Sequence, residues 1–216
     1  MFGIPVCGKG STSKAILFAL ERPGHILEAR QLIGRKKEQD PAFNAMATPI
    51  QKLGDYLDDG VMHNEVLVPM FEYPEGVETL FLDGLGRTPE QLKKLLAFLA
   101  SRSLPKPYGV FFRMTEEESI PRFQQTLNAE DRQGREDGLL GTHVKRVRTH
   151  LGYEDELMRI MQSTGCASHQ LNAVMSLEER ARSITRYFDI PINTARLEDF
   201  CRQEEEKRQR RLVVAA

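Results

Sequence analysis

Residues Met1–Ile16 read MFGIPVCGKGSTSKAI, and the fold turns on how this stretch is understood. Gly3-Ile4-Pro5-Val6-Cys7-Gly8-Lys9 has the glycine, four residues, glycine, lysine spacing of a phosphate-binding loop, and Gly10, Ser11 and Thr12 lead into an apolar run with helical spacing. Phosphate binding at such a loop needs backbone N–H groups turned inward around the oxygens and a helix N-terminus aimed at them. It also needs a lysine that reaches the outer phosphates, here Lys9, with Ser11 or Thr12 supplying a hydroxyl near magnesium. The alternative is a plain turn before a helix, because Val6 puts a β-branched residue where glycine is usual. A phosphate loop also joins the end of a buried strand to a helix, yet only Met1 and Phe2 precede Gly3.

Around this stretch the chain alternates short β-like runs with longer helical patterns, the order expected of a parallel sheet wrapped by helices. GHILEA (Gly24–Ala29), ETLFLDG (Glu78–Gly84), YGVFFRM (Tyr108–Met114) and SHQLNA (Ser168–Ala173) are the strand candidates. TPEQLKKLLAFLAS predicts a helix with Thr88 as N-cap, Pro89 at the first position, and Leu92, Leu95, Leu96 and Leu99 on one face. HVKRVRTHLGYEDELMRIMQ and SLEERARSITRYF predict two more, the second capped by Ser176 with Glu179 at its third position. The tail DFCRQEEEKRQRRLVVAA is charge-dense and reads as a solvated helix, with a partner-binding segment as the alternative.

Composition sets the outer bounds. A chain of 216 residues with 40% hydrophobic content buries one substantial core. Lys plus Arg total 30 against 31 acids, so no global field recruits nucleic acid or a membrane. No apolar run approaches the roughly 20 residues of a membrane span and the N-terminus lacks the order of a secretory signal, so the expectation is a cytoplasmic monomer. Cys7, Cys166 and Cys201 are isolated, which points to neither a disulfide framework nor a cysteine zinc site.

GKGST at Gly8–Thr12 resembles the loop of adenylate kinases and other nucleoside monophosphate kinases, and later motifs of that family recur in order. FLDGLGRTPEQ (Phe81–Gln91) is similar to the family's DGFPRT-x-x-Q segment, which implies that Asp83 organises magnesium, Arg87 grips the monophosphate near Gly84, and Gln91 reads its base. YLDDGVMHNEV resembles the end of the monophosphate-binding arm, with Gly60, Val61 and Met62 lining the base pocket. Of the arginines, Arg122 in SIPRF corresponds to the one that stacks on the ATP adenine, Arg135 in QGRED to the lid arginine and Arg146 in VKRVR to its partner on the next helix. LNAVMS (Leu171–Ser176) resembles the late strand and turn beside the adenine, so the resemblance runs from Gly3 to about Phe188.

The resemblance implies an α/β P-loop NTPase three-layer fold with a central parallel β-sheet, formed by residues 1–216 as a single kinase domain. It implies a monophosphate-binding arm over 25–62, a short lid over 123–138 hinged at Gly134, and a charged helical tail over 189–216. The implied activity moves the ATP γ-phosphoryl group to a nucleoside monophosphate, AMP first among them, with Mg2+ as cofactor. Gly3, Cys7, Gly8, Lys9, Gly10, Ser11, Thr12 and Arg122 would bind ATP; Lys9, Arg87, Arg122, Arg135 and Arg146 would carry catalysis; Ser11 and Asp83 would hold the metal. Two alternatives stay open: a non-catalytic nucleotide-binding or regulatory relative, and a P-loop kinase for a different small acceptor.

The departures are local. The family's S-T-G-D after the second strand stands here as Leu27-Glu28-Ala29-Arg30, which changes the pocket for the acceptor while leaving Arg30 or Arg35 to meet its phosphate. Gly86 replaces the family's proline, Thr126 replaces a lid arginine with Arg132 nearby, and Pro121 is expected to interrupt the helix that carries Arg122. The first strand is expected to be missing, either because the natural chain begins upstream of Met1 or because the protein is a decayed relative. The retained Lys9, Asp83, Arg87, Arg122, Arg135 and Arg146 favour the first.

Overall fold

The computed structural model describes residues 1–126 and 139–214. In chain order the elements are β1 (Phe2–Gly3), α1 (Lys9–Ala19), β2 (Gly24–Glu28), α2 (Ala29–Gln39) and α3 (Pro41–Lys52). An irregular helical segment follows, made of α4 (Asp59–Val61), a π-helical turn (Met62–Leu67) and α5 (Val68–Met70). Then come β3 (Thr79–Asp83), α6 (Pro89–Ser101), β4 (Gly109–Arg113), α7 (Glu116–Gln125), α8 (Leu140–Ser163), β5 (Ser168–Asn172), α9 (Leu177–Tyr187) and α10 (Thr194–Val214). Each of the strand candidates becomes a strand, and all strand pairings are parallel.

The sheet falls into two parts, β1-β4-β5 and β2-β3. The first strand is present rather than missing, but it is a stub. Phe2 lies opposite Phe111 and Gly3 opposite Phe112, while Met1 N donates to Leu82 O at 2.8 Å and so links the stub to β3. Two residues supply too few backbone groups to pair along both neighbours, which is why the sheet divides at this position.

β4 is where the helices on the two faces meet the sheet. Its side chains alternate, as a strand requires. Val110 and Phe112 enter a core with Ile4, Ile16, Leu171, Ile184 and Leu197, from the side of α1, α9 and α10. Phe111 points the other way, stacks on Phe2 with centroids 4.6 Å apart, and packs with Leu92, Leu157 and Met161 of α6 and α8. Helices on both faces of a parallel sheet make this an α/β protein compatible with three layers. A further core, containing Leu32, Phe43, Val66, Leu95 and Phe98, joins α2, α3 and the π-helical turn to α6; this helical arm continues past residue 62 to Met70.

Local chemistry accounts for the helix starts. Thr88 Oγ1 accepts from Gln91 N at 3.1 Å, and Ser176 with Glu179 forms a reciprocal capping box. Pro121 does not interrupt α7. The helix is fixed from its start by a Thr115–Glu118 capping box, and the N–H that proline lacks would have met the carbonyl of Glu117, an exposed residue. Gly86 sits at φ +71, a conformation closed to the proline that the family places there. The tail is more than a solvated helix, since Leu197 is fully buried against the core and Phe200 packs on Phe18. Of the expected lid, Phe123–Gln125 belongs to α7, and 127–138, with Arg132, Gly134 and Arg135, lie outside the described residues. Among the described residues no helix is long and apolar enough to cross a membrane.

Candidate anion site

Pro5 through Gly8 form the turn between β1 and α1. Val6 takes φ +61 and Gly8 takes φ +96, so the backbone here winds through the left-handed region twice in three residues. Gly8 has a second constraint: a β-carbon built on it would come within 2.9 Å of Arg180 Nη2. Val6 pays for the geometry in strain, since a β-branched side chain at positive φ costs of order 1–3 kcal/mol. Val6→Gly is therefore expected to stabilise the fold by about 1 kcal/mol, net of the extra chain entropy of glycine, raising the thermal midpoint. An unchanged or lower midpoint would mean that the turn is not strained.

Lys9 curls back over this turn. Its Nζ donates to Gly3 O at 2.6 Å and Ile4 O at 2.9 Å and reaches Cys7 Sγ at 3.4 Å. Thr12 is buried and its hydroxyl is committed, donating to Gly8 O at 2.8 Å and accepting from Arg180 Nε at 3.2 Å. Ser11, one residue earlier, is exposed. Asp83 closes β3 opposite the first turn of α1, where its Oδ2 lies 3.6 Å from where a Gly10 β-carbon would stand. Magnesium is held through one or two carboxylates plus phosphate oxygens and water, and the Asp83 carboxylate with the exposed Ser11 hydroxyl fits that requirement.

Two arginines converge on the other side of the turn. Arg122 Nη1 and Arg180 Nη1 both donate to Ala173 O, at 3.0 and 2.7 Å, and Arg180 also donates to Met175 O at 3.0 Å. Burial first, then the neighbouring Arg208 charge, pulls the Arg122 guanidinium below its ordinary range; burial and then Arg122 do the same to Arg180. Arg180 was not among the residues singled out in the sequence. Its signal is there, however: it is a charged residue on the inward face of an amphipathic helix, between the buried Ala181 and Ile184 and the cap at Ser176.

The acceptor side is less open. Arg87 donates from Nε to Gly84 O at 3.0 Å, and its guanidinium lies 5.6 Å from the Tyr56 ring centroid. Gln91 is buried with its amide engaged by backbone, Oε1 accepting from Arg87 N at 3.2 Å and Nε2 donating to Leu57 O at 3.3 Å. In this arrangement Gln91 holds the Arg87 turn in place. Gly60 N and Val61 N are capped by Asp58 Oδ1, and Met62 lines a narrow crevice with Asp59, His63, Gly86 and Gln91. Glu28 pairs in register with Asp83 at the strand ends, and Arg30 is exposed on the first turn of α2. Arg146 donates from Nη2 to Gln51 O at 2.9 Å and from Nε to Gly54 O at 3.3 Å, carbonyls at and just past the end of α3. Arg135 lies outside the described residues.

An open concavity of about 720 Å³ lies elsewhere, between β2, α2 and the segment at Glu72–Pro74. Of the residues around the loop, none lines it, and the chemistry gathers instead at the strand ends by α1. No family model matches the chain, and no curated protein sequence matches it.

Proposed function

We propose that the chain is a phosphotransferase of the nucleoside monophosphate kinase type, binding ATP at the Gly3–Thr12 loop and transferring its γ-phosphoryl group to a small phosphorylated acceptor. One observation carries the reading. Lys9, Arg87, Arg122 and Arg180 surround the loop and the neighbouring strand ends, and among the described residues none of them forms an ion pair; their partners are carbonyls, a hydroxyl, a thiol and an aromatic ring. Desolvated cations without carboxylate partners are unfavourable in an empty fold and favourable around a polyanion.

The residues divide by role. Lys9 and the N-terminal turn of α1 hold the outer phosphates, Asp83 and Ser11 hold Mg2+, and Arg122 with Arg180 meets the nucleotide from the α7 and α9 side. Magnesium bound there supplies charge neutralisation on the phosphate oxygens. Arg87, fixed by Gln91, faces the acceptor phosphate, and Arg135 and Arg146 are the lid-side cations of the same reading. Phosphoryl transfer needs positioning and charge neutralisation rather than a nucleophilic side chain, and a convergent set of cations provides both.

AMP is the first acceptor to test, but a different small acceptor is favoured by two features: Glu28 beside Asp83, and the Gln91 amide already committed to backbone. The test is to incubate the purified chain with MgATP and each common nucleoside monophosphate in turn and to follow diphosphate formation. Turnover with one acceptor is expected and would name it. A folded, ATP-binding sample that transfers to none of them would exclude a nucleoside monophosphate as acceptor, leaving a kinase for a different small acceptor if ATP is still hydrolysed and a non-catalytic nucleotide-binding relative if it is not.

A further inference from the structure

The tail helix α10 lies antiparallel to α1. Asn193 N donates to Ala19 O at 2.7 Å, Leu20 and Ile192 form an antiparallel bridge, Leu197 is fully buried, and Phe200 packs on Phe18 at 5.3 Å. The tail therefore starts beside the C-terminal end of α1 and runs towards the phosphate loop. Eight residues past Phe200 the helix has risen about 12 Å, close to the roughly 15 Å that separates Phe18 from Gly8 along α1. That residue is Arg208, which lies within electrostatic range of both Arg122 and Arg180.

A basic helix end needs no ligand of its own, because cations there complement the helix dipole. Arg208 differs in what it faces. Among the described residues its carboxylate neighbour is Glu205 at 3.7 Å, one turn back and largely exposed, while Arg122 and Arg180 are two partly or fully buried guanidiniums already sharing the Ala173 carbonyl. A third cation there adds repulsion to the empty fold and attraction once a polyanion arrives. Lys207, by contrast, donates to Glu204 at 2.8 Å and shows no such grouping.

We propose that α10 is a basic cap in cis over the phosphate loop, with Arg208 binding the polyphosphate of a nucleoside triphosphate together with Arg122 and Arg180. This rests on the nucleotide reading of the loop given above.

Calorimetric titration of the full chain with magnesium-free tripolyphosphate, with MgATP and with adenosine tests it, in the wild type and in Arg208→Ala, Arg208→Glu, Lys207→Ala and Arg122→Ala. Arg208→Ala is expected to weaken tripolyphosphate and MgATP by about fivefold to tenfold and Arg208→Glu by about thirtyfold or more, with adenosine unaffected and the salt dependence of binding reduced. Lys207→Ala should change either affinity by less than about twofold, and because Arg208 is exposed the thermal midpoints should stay close to wild type. Wild-type affinity or tighter binding in Arg208→Glu would overturn the cap. If Arg122→Ala still weakened binding in that case, the loop reading would survive without it; a folded wild type that binds neither tripolyphosphate nor MgATP would remove both.

Discussion

Lys9→Met is expected to lower phosphoryl transfer by at least about 10³-fold while weakening MgATP binding by only about tenfold. Methionine keeps most of the alkyl length and removes the charge. In the ligand-free fold the Lys9 ammonium is satisfied by Gly3 O and Ile4 O, so it is held at the turn by the loop itself. A γ-phosphoryl group in transit spreads negative charge over its oxygens, and a cation that is already in place stabilises that charge more than it stabilises bound ATP. The larger loss should therefore fall on the rate. The loop carbonyls left behind are near solvent, since Gly3 and Lys9 are both half-buried, and the thermal midpoint should fall by only a few degrees. Transfer that persists above a tenth of the wild-type rate in a folded Lys9→Met protein would remove Lys9 from catalysis.

Acid should destabilise the fold through His150. This histidine on α8 is 4% exposed, its Nε2 has no hydrogen-bond partner among the described residues, and burial, followed by the charges of Lys9, Arg87 and Arg113, holds its pKa down to about 3. The unfolded chain binds a proton at about pH 6.5, whereas the folded chain does not until near pH 3. The unfolded state thus holds more protons throughout that window, and stability declines as pH falls through it, by as much as about 4–5 kcal/mol in total. His150→Leu removes the titration and the unpartnered Nε2 with it. The variant should be within about 1 kcal/mol of wild type at pH 7.5 and more stable by about 3 kcal/mol at pH 4, read from urea unfolding at each pH. Parallel pH profiles for the two proteins would mean that His150 is hydrated or bonded in solution.

Much of the architecture was legible because its signals are local. The four longer strands coincide with the short runs read as strands, apolar in β3 and β4 and more polar in β5, and Thr88 and Ser176 cap the helices their positions predict. The turn before α1 was legible from its glycines, and Val6 at φ +61 stands where the chain departs from glycine. What was not legible depends on contacts across the chain. Phe2–Gly3 is too short to carry a strand signal, and its pairing with β4 comes from the packing of Phe2 on Phe111. Arg180 reaches Thr12 across 168 positions, a relation no short motif encodes. The tail's charge density concealed an apolar stripe at Leu197, Phe200 and Cys201, three and four residues apart on one helix face, and that stripe is what lays α10 on α1. Pro121 gave a false stop because the capping box at Thr115 and an exposed Glu117 make the proline tolerable.

The central claim is that the turn at Pro5–Gly8, with Lys9, Arg122 and Arg180 around it, is a polyphosphate site. Its most direct test is equilibrium binding of MgATP to the folded 216-residue chain across a series of salt concentrations, with Arg180→Met alongside. The account predicts saturable one-to-one binding that weakens as salt rises, and a loss of about tenfold to a hundredfold in Arg180→Met at each salt concentration. Binding that ignores both salt and Arg180, or no binding by a protein shown to be folded, would contradict it.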